Sequence, residues 1–329
     1  MTNDIKAIKK EVNSFLLINF GIIAFVSIFI FMIASKSNGD VFIVNFAGLF
    51  MYIPAFSVIV VLKRISNYKF TPKVDKFLKV FAITTLVRIV ISIAEAFLIK
   101  SIIISTIIDT IISAYLLCVV LNNDSEFEVL NLSITKNLKK VLFVILIFLI
   151  IKIIMIIPDV LFSESNSMNI GSYAGVALVN LIFNFCFGFN LFFGEEFGWR
   201  YFLQPRLQKL YGKRFGVIIS GFIWGIWHLP LCLTLYSPKT PIYCIIGHLA
   251  YCTLSGIFLG YAYMKTKNLW STILIHLINN NIGIILGGGY ESVYTLENLL
   301  GGIIINAIFF LPFLFTKEYK VDETLSTDF

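Results

Sequence analysis

Apolar residues run along this chain in long unbroken blocks, with neither the alternation of a strand nor the narrow stripe of a surface helix. A bilayer-crossing helix needs about 20 such residues. Ten blocks approach that length, near 14–35, 41–62, 80–99, 101–121, 141–157, 171–193, 215–235, 242–264, 269–287 and 299–316. Only Lys100 and Ser101 divide the third from the fourth, so the two could instead form one long interrupted segment. The first block follows Lys6, Lys9 and Lys10 and exceeds the apolar core of a signal peptide, roughly 7–15 residues, so it reads as a retained helix. The pattern predicts an all-α, polytopic transmembrane helical bundle of about 8–10 spans.

The polar positions between the blocks orient the bundle. Cytoplasmic loops carry an excess of Lys and Arg. With the N-terminus placed inside, 21 of the 26 basic residues face the cytoplasm, in the N-terminal segment, the loops at 63–79, 122–140, 194–214 and 265–268, and the tail. Lys36, Lys100 and Lys239 fall outside, and Arg88 and Lys152 lie within helices. Both termini are therefore expected in the cytoplasm, and the Ile, Lys and Asn bias points to a bacterial cell membrane. The loop at 122–140 reads as an amphipathic helix at the headgroups, through Phe127, Val129, Leu130, Leu132 and Ile134.

Composition narrows the classes further. The chain has 329 residues, 58% hydrophobic and 14% charged, with a mean hydropathy of +0.89. A soluble domain carries about 25% charged residues. Disorder needs low hydrophobicity, and five Cys are too few for a disulfide scaffold. The net charge of +7 belongs to the loops and does not imply a nucleic-acid partner. The five Cys (118, 186, 232, 244, 252) lie in apolar blocks and read as small packing residues.

Polar groups inside a membrane are costly and so become candidates for function. Arg88 and Glu95 are two turns apart on one face, and Asp109 could pair with either. Together with Lys152 they read mainly as interhelical charges that fix packing. Three later constellations carry more chemistry. In Gly194-Glu195-Glu196-Phe197-Gly198-Trp199-Arg200, Glu196 and Arg200 are four apart and share a helix face. Such a pair fixes Glu196 and leaves Glu195 free to act as a general base. In Trp224-Gly225-Ile226-Trp227-His228-Leu229-Pro230, Pro230 kinks the helix beside His228, with Trp224 one turn earlier against the ring. In His276-Leu277-Ile278-Asn279-Asn280, His276 and Asn280 point the same way and offer two donors to one point, as an oxyanion requires. His248 reads as structural. Gly221-x-x-x-Gly225 and Gly256-x-x-x-Gly260 favour close packing of two helices.

The stretches EEFGWRYFLQPRLQ, WGIWHLPL and NLWSTILIHLINN resemble the CPBP family, which includes CAAX prenyl endopeptidases and bacterial Abi or bacteriocin-immunity proteins. The resemblance rests on EExxxR, FxxxH and HxxxN motifs in that order and covers roughly residues 185–290. Trp224 stands in place of the motif's Phe, and Tyr201 follows Arg200 where many relatives have Gly. The resemblance implies a metal-independent intramembrane endopeptidase with no cofactor, acting on a membrane-associated peptide or protein. It implies that Glu195 with His228 activates a water, that His276 and Asn280 hold the oxyanion, and that Glu196 and Arg200 support the site. On this reading residues 1–165 are N-terminal helices of unassigned role, 166–290 the catalytic core, and 291–329 a last helix with a tail. Two other readings stand beside it. One is a non-catalytic immunity or regulatory protein of the same fold. The other is a transporter or metal hydrolase, in which Glu195, His228 and His276 form a His₂Glu zinc set.

Straight helices raise one geometric difficulty. At about 1.5 Å per residue, His228 lies about 20 Å deep and His276 about 10 Å, while Glu195 sits near the cytoplasmic end of its helix. The three can meet only if the sixth helix extends inward of its boundary or 200–214 forms an elbow; an elbow and a water-filled cavity open to the cytoplasm are expected.

Overall fold

A computed structural model describes residues 2–36, 38–162, 170–287 and 293–320. Every apolar block lies on helix, and no strand occurs among the described residues. The helices are α1 (Thr2–Ile33), α2 (Gly39–Val60), α3 (Pro72–Ala94), α4 (Ile103–Leu121), α5 (Leu138–Phe162), α6 (Ile170–Phe187), α7 (Phe189–Glu196), α8 (Gln204–Tyr211), α9 (Lys213–Trp227), α10 (Leu229–Leu231), α11 (Pro241–Thr266), α12 (Leu269–Gly287) and α13 (Leu296–Phe310). The boundaries drawn at 165/166 and 290/291 lie outside the described residues.

Seven helices are long and apolar enough to cross a membrane, and two bent pairs raise the count to at most nine among the described residues. The bundle is thus polytopic and all-helical, with fewer single spans than the ten blocks suggested. The third and fourth blocks are separate. Between them Lys100 adopts a left-handed conformation (φ 60°) that a helix cannot propagate. Two other blocks break. The sixth bends by 72° at Gly188, between α6 and the segment that runs through α7 to Tyr211. The seventh bends by 42° at His228, next to Pro230, where the sequence placed a kink.

The loop at 122–137 forms no amphipathic helix. It makes a short 3₁₀ turn at Glu126–Leu130 and tucks Phe127, Leu130 and Leu132 completely under the bundle. Phe127 meets Phe77 of α3 edge-on at 5.0 Å, so these apolar side chains are core, not lipid contacts.

Two glycine contacts set the helix spacing around the site. A Cβ on Gly221 of α9 would stand 2.7 Å from the Thr253 Cα of α11, and one on Gly225 would stand 2.9 Å from the Leu249 Cα. Backbones this close exclude any side chain, which is the packing the GxxxG spacing foretold. Gly194 and Gly198 do the same against Met51 and Pro54 of α2, where an added Cβ would collide with the Met51 carbonyl and the proline ring.

The intramembrane charges form one buried network. Arg88 is fully buried and grips Asp109 with two donors, Nε to Oδ1 at 2.7 Å and a terminal nitrogen to Oδ2 at 3.1 Å. Its other donors reach Ser92, Ser105 and the Asn45 side chain. Glu95 accepts from Ser105 and from the Asn45 amide. Tyr52 donates to Asp109 at 2.6 Å and accepts from Asn190 at the start of α7. Arg88 therefore pairs with Asp109, and Glu95 is satisfied by neutral donors. Lys152 lies apart, with its ammonium 5.5 Å from the Phe148 ring.

Candidate active site

The bend at Gly188 turns α7 inward, and this brings the carboxylates to the histidines. The turn that carries the carboxylates inward therefore lies ahead of the glutamates, and a further one lies within 200–214. A second break at Gly212 (φ 82°) folds α8 back against α9. From Phe197 to Leu203 the backbone is π-helical, a local widening of the helix that is frequent at functional positions.

The adjacent carboxylates have different surroundings. Glu196 is fully buried, and its Oε1 accepts from Arg200 at 3.1 Å and from His276 Nδ1 at 2.8 Å. Glu195 is 3% exposed and accepts on Oε2 from two indoles, Trp224 at 2.8 Å and Trp199 at 3.3 Å. Both bonds fall on one oxygen, which leaves Oε1 for other work. The Glu196–Arg200 pair is the one the i,i+4 spacing indicated.

His228 sits at the end of α9. There its backbone N–H turns back to Gly225 at 3.1 Å, and the Trp224 carbonyl accepts instead from the imidazole Nδ1 at 2.9 Å. That bond fixes the ring and leaves Nε2 as the acceptor. His276 bonds Glu196 through Nδ1, which leaves its Nε2 outside that pair. Its ring meets Phe192 and Trp224 edge-on at 5.3 and 5.6 Å. Asn280 accepts on Oδ1 from its neighbour Asn279 at 3.2 Å, which leaves its own amide donors uncommitted by that bond.

Trp224 joins these pieces. It bonds Glu195, lies 5.8 Å from the His228 ring and carries the Arg200 guanidinium 4.4 Å above its face. Glu195, His228, His276 and Arg200 thus all touch one side chain. Next to it lies a small cavity of about 10 Å³, room for about one water, lined by Phe148, Trp224, Tyr251, Phe258, His276 and Asn279, among others. Its wall is more apolar than a water-filled channel would have, and Asn279 rather than Asn280 stands on it. Asn279 is held there by a 2.6 Å bond to the Tyr251 hydroxyl.

Several participants went unread in the sequence. Trp199 stands four residues after Glu195, as Arg200 does after Glu196, so helical spacing alone could have named it. Tyr251 and His248 carry no such signal, because only the packing of α11 on α9 brings them in. His248 is not isolated. Its ring centroid lies 4.4 Å from that of His228. The proposed His₂Glu zinc set is not among the groups of metal-binding side chains that converge among the described residues; the one that does is His228, His248 and Cys252.

No curated protein and no solved structure matches the chain. A family model does. Residues 177–282, which hold Glu195, Glu196, all three histidines and Trp224, match the type II CAAX prenyl endopeptidase family, Rce1-like, and with the apolar helices around them mark the chain as an integral membrane protein.

Proposed function

We propose that the chain is an intramembrane endopeptidase that uses Glu195 as its general base, without a metal, on a membrane-associated peptide or protein. One observation carries this reading. The two adjacent carboxylates are divided between two tasks, with Glu196 locked by Arg200 and His276 and Glu195 held on Oε2 alone.

Glu195 Oε1 takes a proton from a water that His228 Nε2 helps to orient, and the hydroxide attacks the scissile carbonyl. The oxyanion that forms is held by Nε2–H of His276, whose Nδ1 is bonded to Glu196, and by the Asn280 amide. When the C–N bond breaks, Glu195 returns its proton to the leaving amine. The distribution of Lys and Arg supports placing both termini in the cytoplasm of a cell membrane.

The test is cleavage of a panel of peptides, with and without lipid, by purified wild type, Glu195→Gln and Glu196→Gln. Loss of a general base removes about 10²–10⁴ in rate. Glu195→Gln should fall by that factor with binding intact. Equal cleavage by wild type and Glu195→Gln ends the proposal. Cleavage by no variant, wild type included, favours a non-catalytic protein of this fold.

A further inference from the structure

The aisle between the end of α9 and α11 gathers soft ligands that the hydrolytic reading does not use. His228 and Cys232 stand on one wall, four residues apart. Cys244, His248 and Cys252 stand on the other at the same spacing, on one face of α11. Two of the three His and three of the five Cys in the chain meet here. Packing between small side chains accounts for cysteines at a helix interface, but not for two imidazoles facing a thiol. One ligand atom each from His228, His248 and Cys252 lies within 4.8 Å of the others. Bonds of about 2.0–2.3 Å to one ion put its donors about 3.5–4 Å apart, so the group needs only a small closure.

We propose that His228, His248 and Cys252 form a binding site for one monovalent soft ion, Cu(I). Thiolate and imidazole ligands favour Cu(I) over hard cations. Charge favours it over Zn(II). Binding releases the Cys252 proton to solvent, and one thiolate with one Cu(I) sums to zero. A divalent ion on the same ligands would leave a net positive charge where Cys252 is fully buried and His228 nearly so, a placement the membrane interior penalises. The site is also stiff on one side. His228 is held by the Trp224 carbonyl and packs edge-on against Trp227 at 4.7 Å. Cys232 and Cys244, in thiol contact with each other, lie beside it as a second soft pair. If the protease reading holds, a bound ion takes His228 out of service and stops hydrolysis. The binding itself does not depend on that reading.

The experiment reads metal and not cleavage. Full-length protein in detergent micelles is titrated anaerobically with Cu(I) buffered by bathocuproine disulfonate, and X-ray absorption reports the scatterers. One Cu(I) per chain with sulfur and imidazole scattering is expected. Cys252→Ser and His248→Ala should each weaken binding by more than about tenfold, while Cys186→Ser leaves it unchanged. Gel filtration and circular dichroism select the variants that fold. The proposal is overturned if wild type retains no stoichiometric Cu(I), or if folded Cys252→Ser binds as tightly as wild type. It is also overturned if equimolar Zn(II) displaces Cu(I), or if Cys232→Ser/Cys244→Ser abolishes binding that Cys252→Ser keeps.

Discussion

Trp224 touches four chemically active side chains at once, and its indole N–H makes the shorter of the two bonds to Glu195. A hydrogen bond to a charged group is worth about 1.5–3 kcal/mol, or roughly 10–100-fold in rate if it positions the base. Trp224→Phe should lower kcat by that factor with little change in KM, because the ring contacts with His228, His276 and Arg200 survive. Trp199→Phe, which gives up the longer bond, should cost less. Equal kcat in wild type and Trp224→Phe would remove Trp224 from the positioning of Glu195. At this scale the sequence was readable wherever partners lie on one helix. Glu196–Arg200 and Trp224–His228 follow from i,i+4 geometry. Glu196–His276 joins residues 80 apart, and no local spacing encodes such a contact.

At the scale of elements, the break at Gly188 decides whether the site assembles, and it is also where straight-helix counting failed. Depths summed at a constant rise left Glu195 away from the histidines, but a 72° turn brings α7 to them. The helices were legible because apolar blocks are long and uninterrupted. The turn was not, since glycine is common in membrane helices and gives little warning. Once inside, α7 is wedged against α2 through Gly194, where an added methyl meets the Met51 backbone carbonyl, which cannot rotate away. Gly194→Ala should therefore cost about 1–3 kcal/mol, seen as a lower thermal midpoint, and should reduce activity by displacing Glu195. An unchanged midpoint would mean that α2 yields. On the polar side, Asp124 staples the loop at 122–137. Its carboxylate accepts from Ser133 at 2.7 Å and from the Ile134 amide and the Thr135 hydroxyl at 2.5 Å each. Partial burial pushes this carboxyl up, but the hydrogen bonds more than reverse that and hold it below the usual carboxylate range. A carboxylate lowered in the folded state stabilises above its unfolded pKa of about 3.9 and loses that contribution as pH falls through the lower folded value. The protection factor of the Ile134 amide should hold down to about pH 4 and fall below it. In Asp124→Asn the protection should no longer depend on pH in that range.

Across the whole molecule, the N-terminal helices do more than fill the bilayer. A continuous path of hydrogen bonds runs from Arg88 through Asp109 and Tyr52 to Asn190, at the first turn of the helix that carries Glu195. Arg88 is the only cation among these contacts, and two carboxylates, Asp109 and Glu95, depend on its field. The members of the network are therefore unequal. Removing the guanidinium leaves two acids and six hydrogen bonds without their donor, whereas neutralising Asp109 to an amide keeps the shape and an acceptor. Breaking a buried pair by deleting one partner costs roughly 3–5 kcal/mol. Arg88→Met should lose that much stability, loosen α7 and depress cleavage although it touches no catalytic group. Asp109→Asn should be markedly milder on both counts, because Glu95 still balances Arg88. The comparison is made by thermal unfolding in micelles alongside the peptide assay. If the two variants lose stability equally, the network is ordinary helix-to-helix adhesion and α7 is held by glycine packing alone. If Arg88→Met is the weaker while its binding of substrate is unchanged, the N-terminal helices act on the site as a fixed frame whose charge balance sets where Glu195 stands.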